Sequence, residues 1–376
     1  MILLFFVVIL ALLAGVAGEL TARVYFFDDA YNMPFFGNIS FTDGNYDGKN
    51  LSIIGAKKVV VEQNVKVAEA VNSLSNDLAG IFKKIKAVDS GDNSQFAIDE
   101  YYKMNQPAGT GLIITSDGWI ITDVFSKGLK ADSIAAGYVI ITKDRQIYEI
   151  DKIVEDPATD FSFIHAKGVK DFSVRPFAER GGIENGQLAV AVDWSGESRL
   201  TSVVGREKSN NLVKSSEDVS AALILAEAPD KKLAGSAVVD LSGNIISLVD
   251  KRGVIEPIAN FQSTIQSLLK SGLIKHSFLG VSYVDLSLLA KEDNKYEKGA
   301  VIFKNSDGIS VVKGSPAEKS DLKEGDIITQ VDNIEINKNN DLADIIQSYL
   351  PGDRINVSYL RAGQKLEVEI VLGEIK

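Results

Sequence analysis

Residues 109–125 read GTGLIITSDGWIITDVF, two apolar, β-branched runs joined by Ser116-Asp117-Gly118. A polar pair ending in glycine between two such runs signals a hairpin, because glycine supplies the positive φ that a tight turn needs. The same pattern continues downstream in YVIITKD (138–144), FSFIHAK (161–167), GQLAVAVDW (186–194), TSVVGRE (201–207), AALILAE (221–227) and NIISLVD (244–250). Short strands parted by turns over residues 109–250 predict an all-β barrel or sandwich. Upstream, Lys57–Val61 reads as a strand, and Val67, Ala70, Val71 and Leu74 mark an amphipathic helix over 65–75. Ala79–Ile85 reads as a strand, followed by a polar loop over 86–108. Downstream, Ile265, Leu268 and Leu269 line one face of a closing helix over 261–269, which Ser271 and Gly272 end.

At 376 residues the chain can hold two or three domains with their own cores. A hydrophobic share of 45% with 24% charged residues is that of a folded globular protein. The net charge of −11 argues against a nucleic-acid partner, which attracts basic patches. There is no cysteine, so disulfides, thiolate nucleophiles and cysteine zinc sites are excluded. No metal-ligand pattern and no cofactor motif is present, and none is expected. Histidine occurs only as His165 and His276, a scarcity that bears on any base-dependent chemistry.

Residues 1–18 (MILLFFVVILALLAGVAG) are unbroken apolar sequence, near the lower limit for a membrane-spanning helix. Gly15 and Ala17 give a small-x-small cleavage pattern, so a cleaved signal peptide is open. The absent basic n-region and the aromatics Tyr25, Phe26 and Phe27 favour an uncleaved anchor. Either way the bulk of the chain is expected outside the cytoplasm. Residues 19–60 form a spacer, rich in Asp, Asn and Gly over 28–50. The main β domain spans 61–270, and a second domain of about 100 residues spans 276–376. That domain opens with FLGVSYVDL, carries a helix over 341–349, and closes on INVSYLR and KLEVEIVL. The expected fold is therefore mainly β, with an α+β second domain and an N-terminal hydrophobic helix.

Three ordered motifs resemble the HtrA/DegP family of membrane-associated or periplasmic serine proteases, covering about Val65–Lys376. The first is the 109–125 segment, whose Gly109, Gly111, Gly118 and Thr122 fix a register that puts Phe125 at the catalytic-histidine position. The second is EDPATDFSFI (155–164), which retains Asp160 at the aspartate position. The third is LAEAPDKKLAGSAVVDLSGNIISLV (225–249), which puts Ala234 at the nucleophile and Lys232 at the oxyanion-turn glycine. In that register Leu233 stands at the usual asparagine, with Ser236 and Ala237 at the second following glycine and the proline. The resemblance implies a trypsin-like double β-barrel followed by a PDZ domain.

It also implies that the triad is broken. A serine nucleophile needs a base to take its proton and a third group to orient that base. Neither a phenyl ring nor a methyl group can do this. Lys232 reaches positive φ less cheaply than glycine, so a misshapen oxyanion turn is expected. A substitute dyad of Ser236 and Lys232 would need a desolvated lysine and a different loop geometry. His165 lies an odd separation from Asp160 on one strand and so on the opposite face, a surface or packing histidine. His276 falls in the linker and is expected to be solvated. Without imidazole, Asp160 is expected to serve as a turn-capping residue.

The PDZ-like half follows the family pattern through Gly314-Ser315-Pro316-Ala317, Leu322–Ile328 and Val331-Asp332-Asn333. It departs at Asp321, where the family has glycine, and at Asn333 for the usual turn glycine. Ser277-Phe278-Leu279-Gly280 resembles the loop whose backbone amides hold a C-terminal carboxylate. Val281, Ser282 and Tyr283 then offer a strand edge for β-augmentation. Leu342, Ile345 and Ile346 either wall the side-chain pocket or are ordinary core.

Three readings follow. One is an envelope-associated pseudoprotease that binds unfolded proteins or C-terminal peptides without hydrolysing them. Another is an active HtrA-type endopeptidase in envelope quality control, which would need a base from outside the expected segment. The third is a regulatory subunit, as a homotrimer or a hetero-oligomer with active paralogues, since relatives form trimers through the barrel.

Overall fold

The computed structural model describes residues 31–33, 37–39, 56–85, 98–125, 128, 130–207, 211–218, 222–227, 233–290, 292 and 296–375. The apolar segment 1–18 lies outside them. Among the described residues no helix is long and apolar enough to cross a membrane. The first compact unit, 1–59, contains a short antiparallel hairpin of β1 (Tyr31–Met33) and β2 (Gly37–Ile39).

Helix α1 (Ala56–Ser75) absorbs residues 57–61, which the sequence reading takes as a strand. The β-branched run Val59-Val60-Val61 suits a strand locally, but its helix penalty is only a few tenths of a kcal/mol per residue. Extending a helix already begun avoids a second nucleation, and continuity wins.

The strands of the first barrel are β3 (Leu78–Lys83), β4 (Gly109–Ile113), β5 (Trp119–Thr122), β6 (Tyr138–Thr142), β7 (Ile147–Glu155) and β8 (Ser162–Ala166). They close in the order β3-β4-β5-β8-β7-β6. The hairpin expected at Ser116–Gly118 joins β4 to β5, with Leu112 opposite Ile121. Gly118 has φ 113°, and a Cβ there would lie 2.9 Å from the Ala166 carbonyl oxygen. Helix α2 (Ala131–Gly137) packs beside β7.

The second barrel uses β9 (Leu188–Val192), β10 (Ser198–Arg206), β12 (Leu223–Leu225), β13 (Ala237–Asp240), β14 (Ile245–Val249) and β15 (Ile255–Pro257). Strand β11 (Val213–Ser215), between β10 and β12 in the chain, leaves this barrel and joins another sheet.

Alternation along the strands sorts side chains into three cores. Ile81, Ile113, Ile120, Phe125, Ile140 and Ile164 fill the first barrel, and Ala189, Ala191, Val238, Ile246 and Val249 fill the second. Leu112, Phe163, Val190, Trp194, Val239 and Phe261 fill the space between the barrels. The closing helix α3 (Gln262–Ser271) adds Ile265 and Leu268 to that middle layer, and α1 adds Ala70 and Leu74. Its C-cap Gly272 has φ 71°, as a left-handed helix stop requires.

The last part opens with β16 (Ser277–Phe278) and β17 (Ser282–Asp285), then β18 (Ala300–Ile302) and helix α4 (Pro316–Lys319). It continues through β19 (Ile327–Val331), β20 (Ile334–Glu335), helix α5 (Leu342–Ile346), β21 (Arg354–Arg361), β22 (Gln364–Val371) and β23 (Gly373–Glu374). Its sheet runs β11-β17-β18-β19-β21-β22, with β20 on β19. Asp321 keeps a positive φ of 62° at the position where the family has glycine. Asp332 is also left-handed (φ 49°), one position before the expected Asn333. Asp332 gains two hydrogen bonds that reward the turn: its Oδ1 accepts from the Asn356 N–H (2.8 Å) and its Oδ2 from the Tyr349 hydroxyl (2.6 Å).

Candidate functional site

The resemblance aligns Phe125, Asp160 and Ala234 with the catalytic triad, and the structure places them in three different settings. Phe125 is sealed inside the first barrel at 2% exposure, edge-on to Tyr138 with ring centroids 5.2 Å apart. Asp160 sits elsewhere, on the turn before β8, where its Oδ2 lies 3.1 Å from Arg252 Nη2. The same guanidinium nitrogen is 2.7 Å from Asp250 Oδ2. A guanidinium is always charged and has no lone pair to take a proton, so this partner cannot serve as a base.

Ala234 is half-buried in the turn that leads into β13. Gly235 follows with φ 80°, and a Cβ on it would fall 3.0 Å from Asp123 Oδ1 and 3.4 Å from the Thr110 nitrogen. The turn thus presses against the first barrel through the one residue that has no side chain. The next two amides are spent within the fold: Gly235 N–H donates to the Val249 carbonyl (2.8 Å) and Ser236 N–H to the Leu233 carbonyl (3.0 Å). The Ser236 hydroxyl is fully buried and also donates to the Leu233 carbonyl. Lys232, which the resemblance aligns with the oxyanion turn, lies outside the described residues.

Both histidines are engaged away from Ala234. His165 Nδ1 is 2.6 Å from Asp151 Oδ1, and its ring packs edge-on to Trp119. His276 is not solvated as the sequence reading expects: its Nε2 lies 2.9 Å from Asp156 Oδ1, and both side chains are largely buried. The linker is pinned because Asp156, 1% exposed, needs partners for its buried carboxylate. Asp156 also accepts from the Ala158 N–H and the Thr159 hydroxyl.

One titratable group here was missed by sequence reasoning. Asp123 lies two residues before Phe125, and an acid directly after the apolar run Trp119–Thr122 was the available signal. Its carboxyl is 5% exposed and is pushed up to about 6 by burial, with the charges of Asp250 and Asp160 adding to the effect. Glu256 is raised for the same first reason, burial, and then by Asp250. Among the described residues no group of His, Cys, Asp or Glu is arranged to hold a metal ion.

The second candidate site is the groove between β17 and α5. Gly280 (φ 86°) lets the Ser277–Gly280 loop turn its amides outward; a Cβ there would meet Ser315 Cβ at 2.3 Å. Asp341 caps α5 by accepting from the Ala343 N–H (3.0 Å) and also accepts from the Tyr283 hydroxyl. Burial and the neighbouring Asp341 charge hold that phenol far above its usual range, so Tyr283 stays a neutral donor. Leu342, Ile345 and Ile346 are all buried, at 0%, 5% and 0% exposure, in the core of this domain with Leu279, Val281 and Tyr283. The loop and edge are not bare. Leu279 and Gly280 donate their N–H groups to Glu217 Oε1 (3.0 and 2.8 Å), and β11 pairs antiparallel with β17.

Two six-stranded barrels with a shared cleft, followed by a sheet-and-helix groove, define a trypsin-type fold carrying a peptide-groove domain. Residues 277–372 match the model of the PDZ domain family. A probable periplasmic serine endoprotease DegP-like of Bartonella henselae is 24% identical over 287 residues, covering 71% of this chain and 53% of that one. The serine protease Do-like HtrA of Lactococcus lactis subsp. cremoris is 24% identical over 375 residues, covering 88% of each. A DegP-like relative of Chlamydia trachomatis is 26% identical over 285 residues, covering 71% of this chain and 54% of its own. The chain thus spans about half the length of the DegP-like relatives it matches. Among solved structures, the HtrA-type protease AlgW with a decapeptide superposes with a TM-score of 0.51 at 19% identity, covering 82% of this chain and 98% of that one. The chain is HtrA/DegP-like, a trypsin-type double barrel with a C-terminal PDZ domain.

Proposed function

We propose that this chain is a pseudoprotease on the outer side of the cytoplasmic membrane that binds C-terminal peptides or unfolded chains through its PDZ domain and does not hydrolyse them. The observation that carries the reading is the engagement of Asp160 by Arg252 while Phe125 faces the barrel interior. Among the described residues no imidazole stands beside Asp160, since both histidines pair with other carboxylates, and Ala234 offers no nucleophilic atom. Ser236, the nearest hydroxyl in the turn, is buried and donates inward. The extracytoplasmic placement rests on the periplasmic naming of the DegP-like relatives and on the apolar segment 1–18, which would anchor or export the chain.

The peptide-binding half of the reading rests on the built groove: an amide loop shaped by Gly280, a strand edge, and a capped helix opposite. AlgW, solved with a decapeptide, shares the fold. The test pairs two measurements on the full chain. Unfolded casein incubated with the protein is expected to stay intact, and a fluorophosphonate probe is expected to leave it unlabelled. Labelling at Ser236 would overturn the inert-cleft reading, and failure of every carboxylate-ended peptide to bind would overturn the other half.

A further inference from the structure

The PDZ groove is filled by the chain itself. Strand β11 aligns Val213 with Val284, Lys214 with Tyr283 and Ser215 with Ser282, antiparallel to β17. The pairing continues one residue further, where Ser216 N–H donates to the Val281 carbonyl (2.9 Å). At the end of this added strand two oxygens meet the amide loop. Glu217 Oε1 accepts from Leu279 and Gly280, and Ser216 Oγ accepts from the Val281 N–H (3.0 Å). Those oxygens are 2.6 Å apart and joined by a hydrogen bond from Ser216. Together they do what the two oxygens of a terminal carboxylate do for three outward amides. Ser216 is fully buried, and its carbonyl accepts from Gln347 Nε2 (3.3 Å). Two residues before it, Lys214 Nζ lies 2.6 Å from Asp341 Oδ2, the cap of α5.

We infer that Val213–Glu217 is a built-in ligand of the PDZ domain. The partner that displaces it is a peptide with a free C-terminal carboxylate and a basic side chain two residues before its last residue. The hydrogen-bond register sets that position: Ser216 occupies the place of the last residue, and Lys214 the place that faces Asp341. An incoming carboxylate takes over the Leu279, Gly280 and Val281 amides, and its lysine or arginine takes over Asp341. The inference rests on the proposed peptide-binding role and specifies how that role is regulated. A groove occupied most of the time binds an outside peptide with an affinity reduced by the fraction that is open.

The probe is a fluorescent decapeptide ending in Val-Lys-Ser-Val, with versions that carry glutamate for the lysine or a C-terminal amide. It is titrated into the full chain and its variants by fluorescence polarisation. Glu217→Ala is expected to bind at least about tenfold more tightly than the unaltered chain, because it removes the acceptor of two charge-assisted bonds and raises the open fraction. Ser216→Pro, which deletes the strand-pairing N–H, is expected to move affinity the same way. The lysine peptide is expected to outbind the glutamate peptide about tenfold, and Asp341→Asn, which keeps the helix cap, is expected to erase that preference. Hydrogen exchange at the amides of 213–216 is expected to be slow in the free chain and to quicken when peptide is added.

Equal affinity of the unaltered chain, Glu217→Ala and Ser216→Pro, with fast exchange at 213–216, overturns the built-in ligand and leaves peptide binding standing. Absence of binding in all three proteins overturns the peptide-binding reading itself, and the displacement with it. Equal binding of lysine and glutamate peptides overturns the assigned partner chemistry.

Discussion

The cleft between the barrels and the groove beside β17 ask different things of a sequence. Proton transfer in a serine-protease cleft depends on three side chains placed within hydrogen-bond reach, and on the proposed reading those positions hold a buried ring, a carboxylate held by Arg252, and a methyl group. Recognition in the groove depends mainly on backbone: amides turned outward by one glycine and the edge of β17 that β11 pairs. Substituting a few side chains removes the chemistry of the first, whereas the second survives wherever Gly280 and the strand remain. The lesson is that the side-chain-based site is the fragile one, and the backbone-based site can even accept an acid and a serine from its own chain as stand-ins for a ligand.

The largest expected effect follows from the cleft. Turnover of a peptide substrate by this chain is expected to lie on the order of 10⁶-fold below that of an enzyme with serine and histidine in place. Ala234→Ser is expected to restore nothing measurable, and Phe125→His with Ala234→Ser to restore nothing either, because position 125 faces Tyr138 in the barrel core and Asp160 is already paired. Active-site titration of both variants decides this, and a burst of product from the double variant would erase the contrast between the two regions. Next comes the groove. Gly280→Asp must place a Cβ 2.3 Å from Ser315 Cβ at φ 86°. A loss of roughly 2–4 kcal/mol in stability of the PDZ half is expected from strain and overpacking. Peptide affinity should fall by more than about tenfold as the loop amides turn away. Urea unfolding and polarisation measure the two, and unchanged peptide binding would remove the loop from the site.

The contrast bears on what the chain reveals before folding. An all-β barrel or sandwich was legible because hairpin turns and β-branched runs are local signals, while the double barrel came from the family resemblance; 109–125 places β4, its turn and β5 where the turn residues require. Strand β7 was missed, since its alternation of exposed charged residues with half-buried positions blurs the apolar pattern. Helix α1 was cut short by a β-branched run that tertiary continuity overrides. In the cleft, Phe125 and Ala234 could be read by register against a known family, but the partner of Asp160 could not. Arg252 lies 92 residues away in sequence, and only the barrel closure brings it near. Glu217 and β11 left no trace for a similar reason. The segment VKSSED is polar and short, and its meaning appears only when β17 lies beside it.

A smaller effect probes the acidic lining of the cleft. The Asp123 carboxyl is raised to about 6, so the folded chain holds its proton more tightly than the unfolded chain does. Stability from this residue is therefore highest below about pH 4 and is lost as pH rises through about 6. Asp123→Asn removes the loss. It is expected to stabilise the protein by roughly 1–3 kcal/mol at pH 7.5 and to change little at pH 4, as a pair of thermal or urea titrations would register. A gain that is equal at both pH values would mean the side chain acts by packing and not by charge.

The smallest expected effect concerns the ion pairs of Arg252, and it separates the two carboxylates they join. Asp250 is buried and keeps two backbone donors, the Arg252 and Val254 N–H groups at 2.8 Å each, whatever side chain stands at 252. Asp160 is partly exposed, and the Arg252 side chain is 59% exposed, so solvent screens their attraction. Arg252→Gln is accordingly expected to cost only about 1 kcal/mol at low salt, and less at about 0.5 M salt. In an Asp160→Asn background the cost should shrink by a few tenths of a kcal/mol, the size typical of an exposed pair in a double-mutant cycle. A coupling several times larger would place Asp160 in a tighter electrostatic grip than its exposure allows. The aspartate would then be structurally committed to the cleft in the same way that Glu217 is committed to the groove.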